Sequence, residues 1–456
     1  MRGMRYVGRG VLSGPGVGRL RGDAEFRQEE SGKMTVELLL DDEEQGRGRD
    51  AQRWGAIWAA YPRELRFRMQ TSDGTEIASD SWHTIGSREV HGIGRSLRII
   101  GMLSNAVATH HKEREPGPIR WFQYFLTNLD FLGTEVTRRS LRGGRVEIRR
   151  DRISLSVGDR RAVLRLRPDH SSIMTELTAT RSVRVTAELW VAGQGDDDAT
   201  AVDDLVSDVV TLLGLGAGNH VAWVLARVFD ASGRKVVTRH RFGITRPYVP
   251  HPVIPPNHGH ALRRLVECLP GLGDRNQAWA TAETQRPFSE AIKSFLDACQ
   301  ENRYLELRSL NASVVGEILA GSLAMAEGKD LLMPTALFDL VSPEIKQAVQ
   351  HVGEQFNLSR EQITGLGRIP NRPTLRSNLT ALMKEAGSPS SNDAISRFIR
   401  IRDSLAHTGR HPRPSRMSSV EQHWFVMDFI ARLILGLLGY RGSYVEAGSR
   451  QQVEFP

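Results

Sequence analysis

The residues best suited to chemistry stand together in one short stretch, Arg402-Asp-Ser-Leu-Ala-His407. Histidine has a reference pKa of about 6.5, so His407 could accept or donate a proton near neutral pH. Arg402 is permanently charged, and its planar guanidinium matches the oxygens of a phosphate group. Asp403 and Ser404 precede His407 by four and three residues, so on a helix either side chain could orient the imidazole. This set of side chains suits proton transfer at a phosphodiester.

The spacing of these residues is not distinctive by itself, and their surroundings matter more. An arginine followed five residues later by a histidine occurs at Arg165/His170, Arg246/His251 and Arg402/His407. The first two matches contain proline, which lacks the N–H that a helix needs and clashes with the preceding turn. The third lies in a segment, 391–407, whose apolar residues recur at spacings near three and four. With Ser391 as a helix N-cap and Gly409 after its end, we predict a helix that carries His407 in its last turn.

Composition indicates an ordinary globular protein. A chain of 456 residues exceeds what one hydrophobic core usually organises, and 40% hydrophobic with 25% charged residues is typical of globular domains. Two cysteines, Cys268 and Cys299, are too few for a disulfide framework and favour a reducing compartment. The first residues lack the apolar core of a signal peptide. We therefore expect a cytoplasmic protein without membrane attachment, and its net charge of +8 is compatible with a nucleic-acid partner.

The hydrophobic period changes once along the chain, which predicts an α+β fold in two lobes. Residues 18–247 alternate as strands do and are interrupted by one helical segment, 202–213, so we predict a β-rich, sandwich-like recognition domain after a flexible N-terminus, 1–17. The proline-rich segment 248–260 is the predicted linker. From 261 to 456 the period is helical. The predicted helices of this second lobe are 261–269, 288–301, 303–327, 342–356, 374–386, 391–407 and 419–439.

Other candidate sites are weak. The glycines of Leu213-Gly-Leu-Gly-Ala-Gly218 follow a predicted helix rather than opening one, so they do not indicate a nucleotide-binding loop. His251, His258 and His260 lie in the predicted linker without a nearby carboxylate or thiol, which favours a plain loop over a metal site. We expect no metal and no cofactor.

The segment Arg402-Asp-Ser-Leu-Ala-His-Thr-Gly409, at the end of a helix in an all-helical lobe, resembles the R-x-x-x-x-H signature of HEPN domains. The nearest likeness is to the Apea-like HEPN group of prokaryotic defence proteins. Tyr304-Leu-Glu-Leu-Arg308, followed by Glu317, also resembles an early helix of that group. The resemblance covers about residues 285–440, and the β-rich lobe is similar to the accompanying amino-terminal domains only in its general pattern.

This resemblance implies a metal-independent endoribonuclease that acts as a toxin in abortive antiphage defence. Arg402 and His407 would cleave RNA, with tRNA as one candidate, by attack of the 2′-hydroxyl. Asp403 and Ser404 complete the predicted catalytic set as residues that could orient His407. Arg410, Arg413 and Arg416 follow directly and could track an RNA backbone. The β-rich lobe would sense a phage-derived trigger or select the RNA.

A homodimer is the expected working form. Five residues on an ideal helix place Arg402 and His407 roughly 140° apart around its axis, so one helix does not hold both against a single phosphate. A two-fold axis would bring two copies of the motif together, as HEPN ribonucleases do. The apolar helix 419–439 could supply interface area, although packing inside its own bundle accounts for most of that surface.

Two alternatives remain open at this point. The helical lobe could be a catalytically silent HEPN module that serves as a nucleotide-binding or assembly scaffold. It could also be an unrelated two-lobe scaffold, in which Arg402 and His407 cap a helix and pair with acidic residues of a neighbouring helix.

Overall fold

Strands dominate the first half of the chain and helices the second, as the pattern of hydrophobic residues predicts. The computed structural model describes residues 3–41, 56–57, 65–92, 94–110, 117–140, 146–195, 197–243, 247–248, 251–300, 304–366, 371–388, 391–413 and 416–455. Residues 249–250 of the predicted linker and 1–2 of the predicted flexible N-terminus lie outside this part. The α+β class is confirmed.

One continuous antiparallel sheet contains the first fifteen strands. They are β1 (Met4–Gly14), β2 (Gly18–Gln28), β3 (Met34–Leu40), β4 (Arg66–Thr71), β5 (Thr75–Ser79), β6 (Trp82–Gly92), β7 (Gly94–Leu103), β8 (Asn105–His110), β9 (Ile119–Thr127), β10 (Glu135–Ser140), β11 (Val146–Val157), β12 (Arg160–Leu166), β13 (Val185–Gly195), β14 (Trp223–Asp230) and β15 (Lys235–Arg241). Their order is β10-β11-β12-β13-β9-β14-β15-β8-β5-β4-β1-β2-β3-β7-β6. The sandwich-like arrangement of separate sheets is therefore not seen in the described residues.

The first strand corrects the prediction of a flexible N-terminus. Residues 4–14 form β1, which pairs with β2 along its whole length and with β4 on its other side. The strand is not evident from the sequence, because the segment is rich in glycine and arginine and few of its side chains face the core. Leu12 is the main one, and Gly10 leaves room for Phe67 and Ala24 to pack closely against the backbone.

Eleven helices are assigned in the described residues. They are α1 (His170–Thr180), α2 (Ala199–Ala217), α3 (Gly259–Glu267), α4 (Leu269–Ala278), α5 (Pro287–Ala298), α6 (Leu305–Ala326), α7 (Thr335–Gln355), α8 (Arg360–Leu366), α9 (Leu375–Glu385), α10 (Asn392–Thr408) and α11 (Ser419–Leu437). All seven predicted helices of the second lobe are present, whereas α1, α4 and α8 are not predicted by the sequence pattern. Of these helices, α6 alone is long and apolar enough to cross a membrane, and half of its most apolar stretch is buried in the fold.

Two large hydrophobic cores and two small clusters are found in the described residues, and the boundary between the two large cores is not the predicted linker. The first core lies within β1–β8 and contains buried residues from Leu12 to Ala108. The second contains buried residues from Phe122 to Phe455, so it joins β9–β14 to α2 and to the helices of the second lobe. The helical lobe therefore shares its core with half of the sheet.

The proline-rich segment 248–260 is packed against the fold in its described residues, which corrects the prediction that it is a linker between two lobes. Val253 and Ile254 are buried, and both of their backbone N–H groups donate to the carbonyl oxygen of Gly216 near the end of α2. Helix α2 runs beyond the predicted end at Gly214 and is terminated by Gly218, whose φ is 59°. A Cβ on Gly218 would lie 1.5 Å from the carbonyl oxygen of His251, so only glycine fits there.

A short hairpin ends the chain where the sequence predicts only helices. β16 (Gly442–Val445) pairs with β17 (Gln452–Phe455). Its aromatic residues Tyr444 and Phe455 are buried in the second core, with ring centroids 5.8 Å apart. The hairpin covers the end of the helical lobe, because Tyr440, which lies just after the last helix, packs against the same phenylalanine.

Candidate functional site

Helix α10 carries the predicted motif, and its ends are those that the sequence predicts. The hydroxyl of Ser391 accepts a hydrogen bond of 3.3 Å from the N–H of Ala394. At the other end, Gly409 has a φ of 66° and donates its N–H to the carbonyl oxygen of Leu405. Ile395, Phe398, Ile401 and Leu405 form the buried face of the helix. His407 consequently lies in the last turn, on the exposed side.

Arg402 is bound by two carboxylates. Its Nη2 donates to Oε2 of Glu317 on α6 at 2.9 Å, and its Nε donates to the other oxygen of the same carboxylate. Its Nη1 donates to Oδ1 of Asp403 at 2.9 Å. The hydrogen bond with Glu317 raises the pKa of Arg402 above its usual range. The guanidinium is thus held at the junction of α6 and α10, and a phosphate would have to compete with Glu317 for it.

Asp403 and Ser404 make contacts other than the predicted ones. Asp403 accepts the hydrogen bond from Arg402, and the hydroxyl of Ser404 donates to the carbonyl oxygen of Arg410 at 2.8 Å. Among the described residues no hydrogen bond joins either side chain to His407 or His407 to Arg402. The orienting role that the sequence gives to Asp403 and Ser404 is not supported by these contacts. Ser404 instead holds the loop that follows the helix.

His407 is exposed, and basic side chains surround the end of its helix. Arg410, Arg413 and Arg416 are all exposed, as the prediction of an RNA-tracking loop requires. The loop is anchored at two points: the carbonyl oxygen of Arg410 receives the hydroxyl of Ser404, and the side chain of His411 turns inward and is buried. The backbone at Arg410 and His411 is therefore held in place, and Arg410 projects from it into solvent.

A buried polar cluster lies beneath this loop. The hydroxyl of Ser309 on α6 lies 3.1 Å from Nε2 of His411 and 2.9 Å from Nδ1 of His423 on α11. The neighbouring Arg308 is also buried, and its Nη2 lies 3.1 Å from Nε2 of His251 in the proline-rich segment. Three histidines from three parts of the chain thus meet at the start of α6, and they connect the loop after α10 to the rest of the lobe.

Burial keeps these histidines neutral at physiological pH. Removal from water, assisted by the nearby positive charges of Arg450 and Arg308 at His251 and of Arg308 at His423, lowers the pKa of both histidines to about 3. Burial also lowers the pKa of His411, against the opposing effect of Glu306. A proton on any of the three would be stabilised in the unfolded chain but not in the folded one.

We expect acid to destabilise this part of the protein in a way that depends on His423. Its folded-state pKa is below the unfolded value of about 6.5, so its stabilising contribution is present above pH 6.5 and is lost as the pH falls toward 3. From pH 8 to pH 5 the free energy of unfolding should fall by about 2 kcal/mol through this one group. Urea unfolding across that range should show a smaller fall for His423→Gln than for the wild type. The exposed His351→Gln should keep the wild-type fall, and an unchanged fall in His423→Gln would contradict the assignment.

The sequence does not reveal the partners of Arg402 or the buried cluster. Glu317 carries no signal beyond its place on an early helix, and the prediction of a plain loop for His251 misses its burial. The available signal is the adjacent polar pair Arg308-Ser309 near the start of a mainly apolar helix, since buried polar groups need partners. Their partners are far away in the chain, and the sequence gives no pairing between them.

Comparison with known families, with characterised proteins and with solved structures finds no match to this chain. In the part of the chain that the structure describes, no group of three or more His, Cys, Asp or Glu side chains could hold a metal ion. What the protein does must be inferred from the side chains around α10.

Proposed function

We propose that the protein is a metal-independent endoribonuclease of the HEPN type. The observation that carries this proposal is the exposed position of His407 at the end of α10, next to the exposed Arg410, Arg413 and Arg416. An accessible imidazole can exchange protons with a substrate, and flanking arginines attract a phosphate backbone. The resemblance of residues 402–409 to the HEPN signature supports the same reaction.

The reaction needs two proton transfers and one positively charged group that binds the phosphate. A base removes the proton of the ribose 2′-hydroxyl, whose oxygen attacks phosphorus while the bond from phosphorus to the 5′-oxygen breaks. An acid then protonates the departing 5′-oxygen, which leaves a 2′,3′-cyclic phosphate on one product. His407 serves as base or acid, and Arg402 stabilises the charge on the phosphate once the substrate displaces Glu317.

A homodimer supplies the second proton-transfer group. Helix α11, a candidate interface from its sequence, buries most of its apolar residues in its own bundle. Helix α6 instead exposes Leu307, Val314, Ile318 and Met325. Their spacings of seven, four and seven residues place all four on one line of the helix. Exposed apolar surface of this kind is typical of protein interfaces. These four residues lie on α6, the helix whose Glu317 holds Arg402 of α10. An interface between two copies of α6 would therefore bring the ends of the two α10 helices near each other.

The biological role is that of a cytoplasmic toxin in abortive antiphage defence, with tRNA as one candidate substrate. In this role the sheet of β1–β15 senses a phage-derived trigger or selects the RNA. The packing of the second core supports such a coupling, because β9–β14 and the helices that hold the site bury their side chains together.

A catalytically silent HEPN module that acts as a binding or assembly scaffold is the second candidate. The observation that favours it is the double hydrogen bond of Arg402 with Glu317, which gives the arginine a structural role without a substrate. Cleavage experiments separate the two functions.

The test of the proposed function is cleavage in the absence of metal. Purified protein should cut single-stranded RNA in the presence of EDTA, and the products should carry 2′,3′-cyclic phosphate ends. Mass spectrometry of the fragments identifies these ends. A requirement for Mg²⁺, or products with 3′-hydroxyl ends, would contradict the proposed mechanism. A protein that binds RNA but never cleaves it would favour the scaffold.

A further inference from the structure

A basic cavity of about 520 Å³ lies beside α10. Arg397 and Arg400 of the helix line it together with Arg416, and the rest of its wall consists of Ile401, Pro412, Met417 and Gln422. Its described lining includes three arginines and no carboxylate. Of these residues only Arg416 belongs to the arginines predicted to contact RNA, so the cavity adds two positive groups from the helix itself.

The wall of the cavity is fixed by contacts of its own. The buried side chain of Gln422 donates its Nε2 to the carbonyl oxygen of Met417 at 2.9 Å. The guanidinium of Arg397 lies over the ring of Phe425, 5.2 Å from its centre, and contacts the sulfur of Met417. Glu421, which directly precedes Gln422, is engaged in the capping box of α11 with Ser418. Arg397 is therefore oriented before any ligand arrives, and little of its freedom is lost on binding.

The cavity and His407 share one face of α10. Arg400 and His407 are seven residues apart, which is close to two helical turns and about 10 Å along the axis. Arg402 is turned roughly 160° away from Arg400 around the same axis and points to α6. A strand that passes His407 along this face would thus reach the cavity with a different phosphate, because successive phosphates of a nucleic-acid strand lie closer together than about 10 Å.

We infer that Arg397, Arg400 and Arg416 form a second phosphate subsite, which holds the backbone of single-stranded RNA next to the bond that His407 cleaves. This inference rests on the proposed function for the position of the cleaved bond but not for the binding itself. The arginine fork binds phosphate oxygens through charge-assisted hydrogen bonds. The subsite fixes the register of the strand and requires no particular base.

Binding is tested in the His407→Ala background, so that no RNA is cut during the measurement. Fluorescence polarisation with a labelled single-stranded RNA of about 20 nucleotides should show a Kd at least about 10-fold weaker for Arg397→Gln/Arg400→Gln. The slope of log K against log salt should become shallower by about 0.7 for each phosphate that the protein no longer neutralises. The matched control is Arg360→Gln, an exposed arginine on α8, which should change neither quantity.

The outcomes separate the subsite from the nuclease. An unchanged Kd and slope in the double variant, an equal weakening with Arg360→Gln, or an undiminished affinity for an oligonucleotide with an uncharged backbone would each overturn the subsite. Tight binding of a phosphopeptide in place of RNA would overturn it as well. If the wild type fails to cleave RNA while the double variant loses binding, the subsite stands and the proposed function falls.

Discussion

Replacing His407 with alanine is expected to lower the rate of RNA cleavage by at least about 100-fold, because a positioned proton-transfer group contributes roughly that much or more. The side chain is exposed and forms no hydrogen bond with another described residue, so its removal leaves the packing of α10 intact. Thermal unfolding should therefore occur at the wild-type temperature. Single-turnover cleavage of a labelled RNA in EDTA measures the effect, and growth of cells that express each form gives an independent measure of toxicity.

The matched control for this variant is His351→Ala, since His351 is an exposed helical histidine on α7. It should cleave as the wild type does. His407→Ala with wild-type cleavage and toxicity would remove the histidine from the mechanism and would favour the scaffold function.

Breaking the proposed dimer should have an effect of similar size. Val314→Asp/Ile318→Asp places two charges on the exposed apolar line of α6, and burying them against a second copy would be strongly unfavourable. Light scattering should show the mass fall from twice to once the 50.9 kDa of one chain. In the proposed mechanism one chain lacks the second proton-transfer group, so specific activity should fall with the mass.

The control for the dimer variant is Val7→Asp on β1. Val7 is also an exposed apolar residue, but it lies in the sheet, away from the proposed interface on α6. This variant should stay dimeric and active. Mixing Arg402→Ala with His407→Ala chains adds a second test, since a mixed dimer restores one complete set of groups. A fully active monomer would refute the composite site and leave His407 as a catalyst.

The local features of the helical lobe were predictable because neighbouring residues determine them. Ser391 and Gly409 bound α10, and Ser418 with Glu421 forms the capping box that opens α11. Apolar spacing alone predicts seven helices. Helix α1 escapes detection because only two of its residues, Ile173 and Leu177, are buried, which is too weak a pattern.

The long-range features could not be predicted in the same way. Glu317 and Arg402 are 85 residues apart, and nothing in either local pattern pairs them. The proline-rich segment has the composition of a linker, yet Val253 and Ile254 are apolar and find a surface on α2. Composition indicates that such a segment is extended, but whether it is flexible depends on what the rest of the fold places beside it.

The continuity of the second core determines which parts of this protein can be exchanged as modules. Leu262 and Leu265 of α3 pack over Gly216 of α2, and α2 lies before the proline-rich segment in the chain. A helical lobe cut out at residue 261 would lose that surface and expose both leucines to water. The region of β1–β8 has a large core of its own, yet it is not separable either, because β8 pairs with β15 and the buried Gln28 of β2 donates to the carbonyl oxygen of Val224 on β14. Replacing β1–β8 alone would leave β15 with an unpaired edge, so an exchange of parts should keep the pairing of β8 with β15 intact.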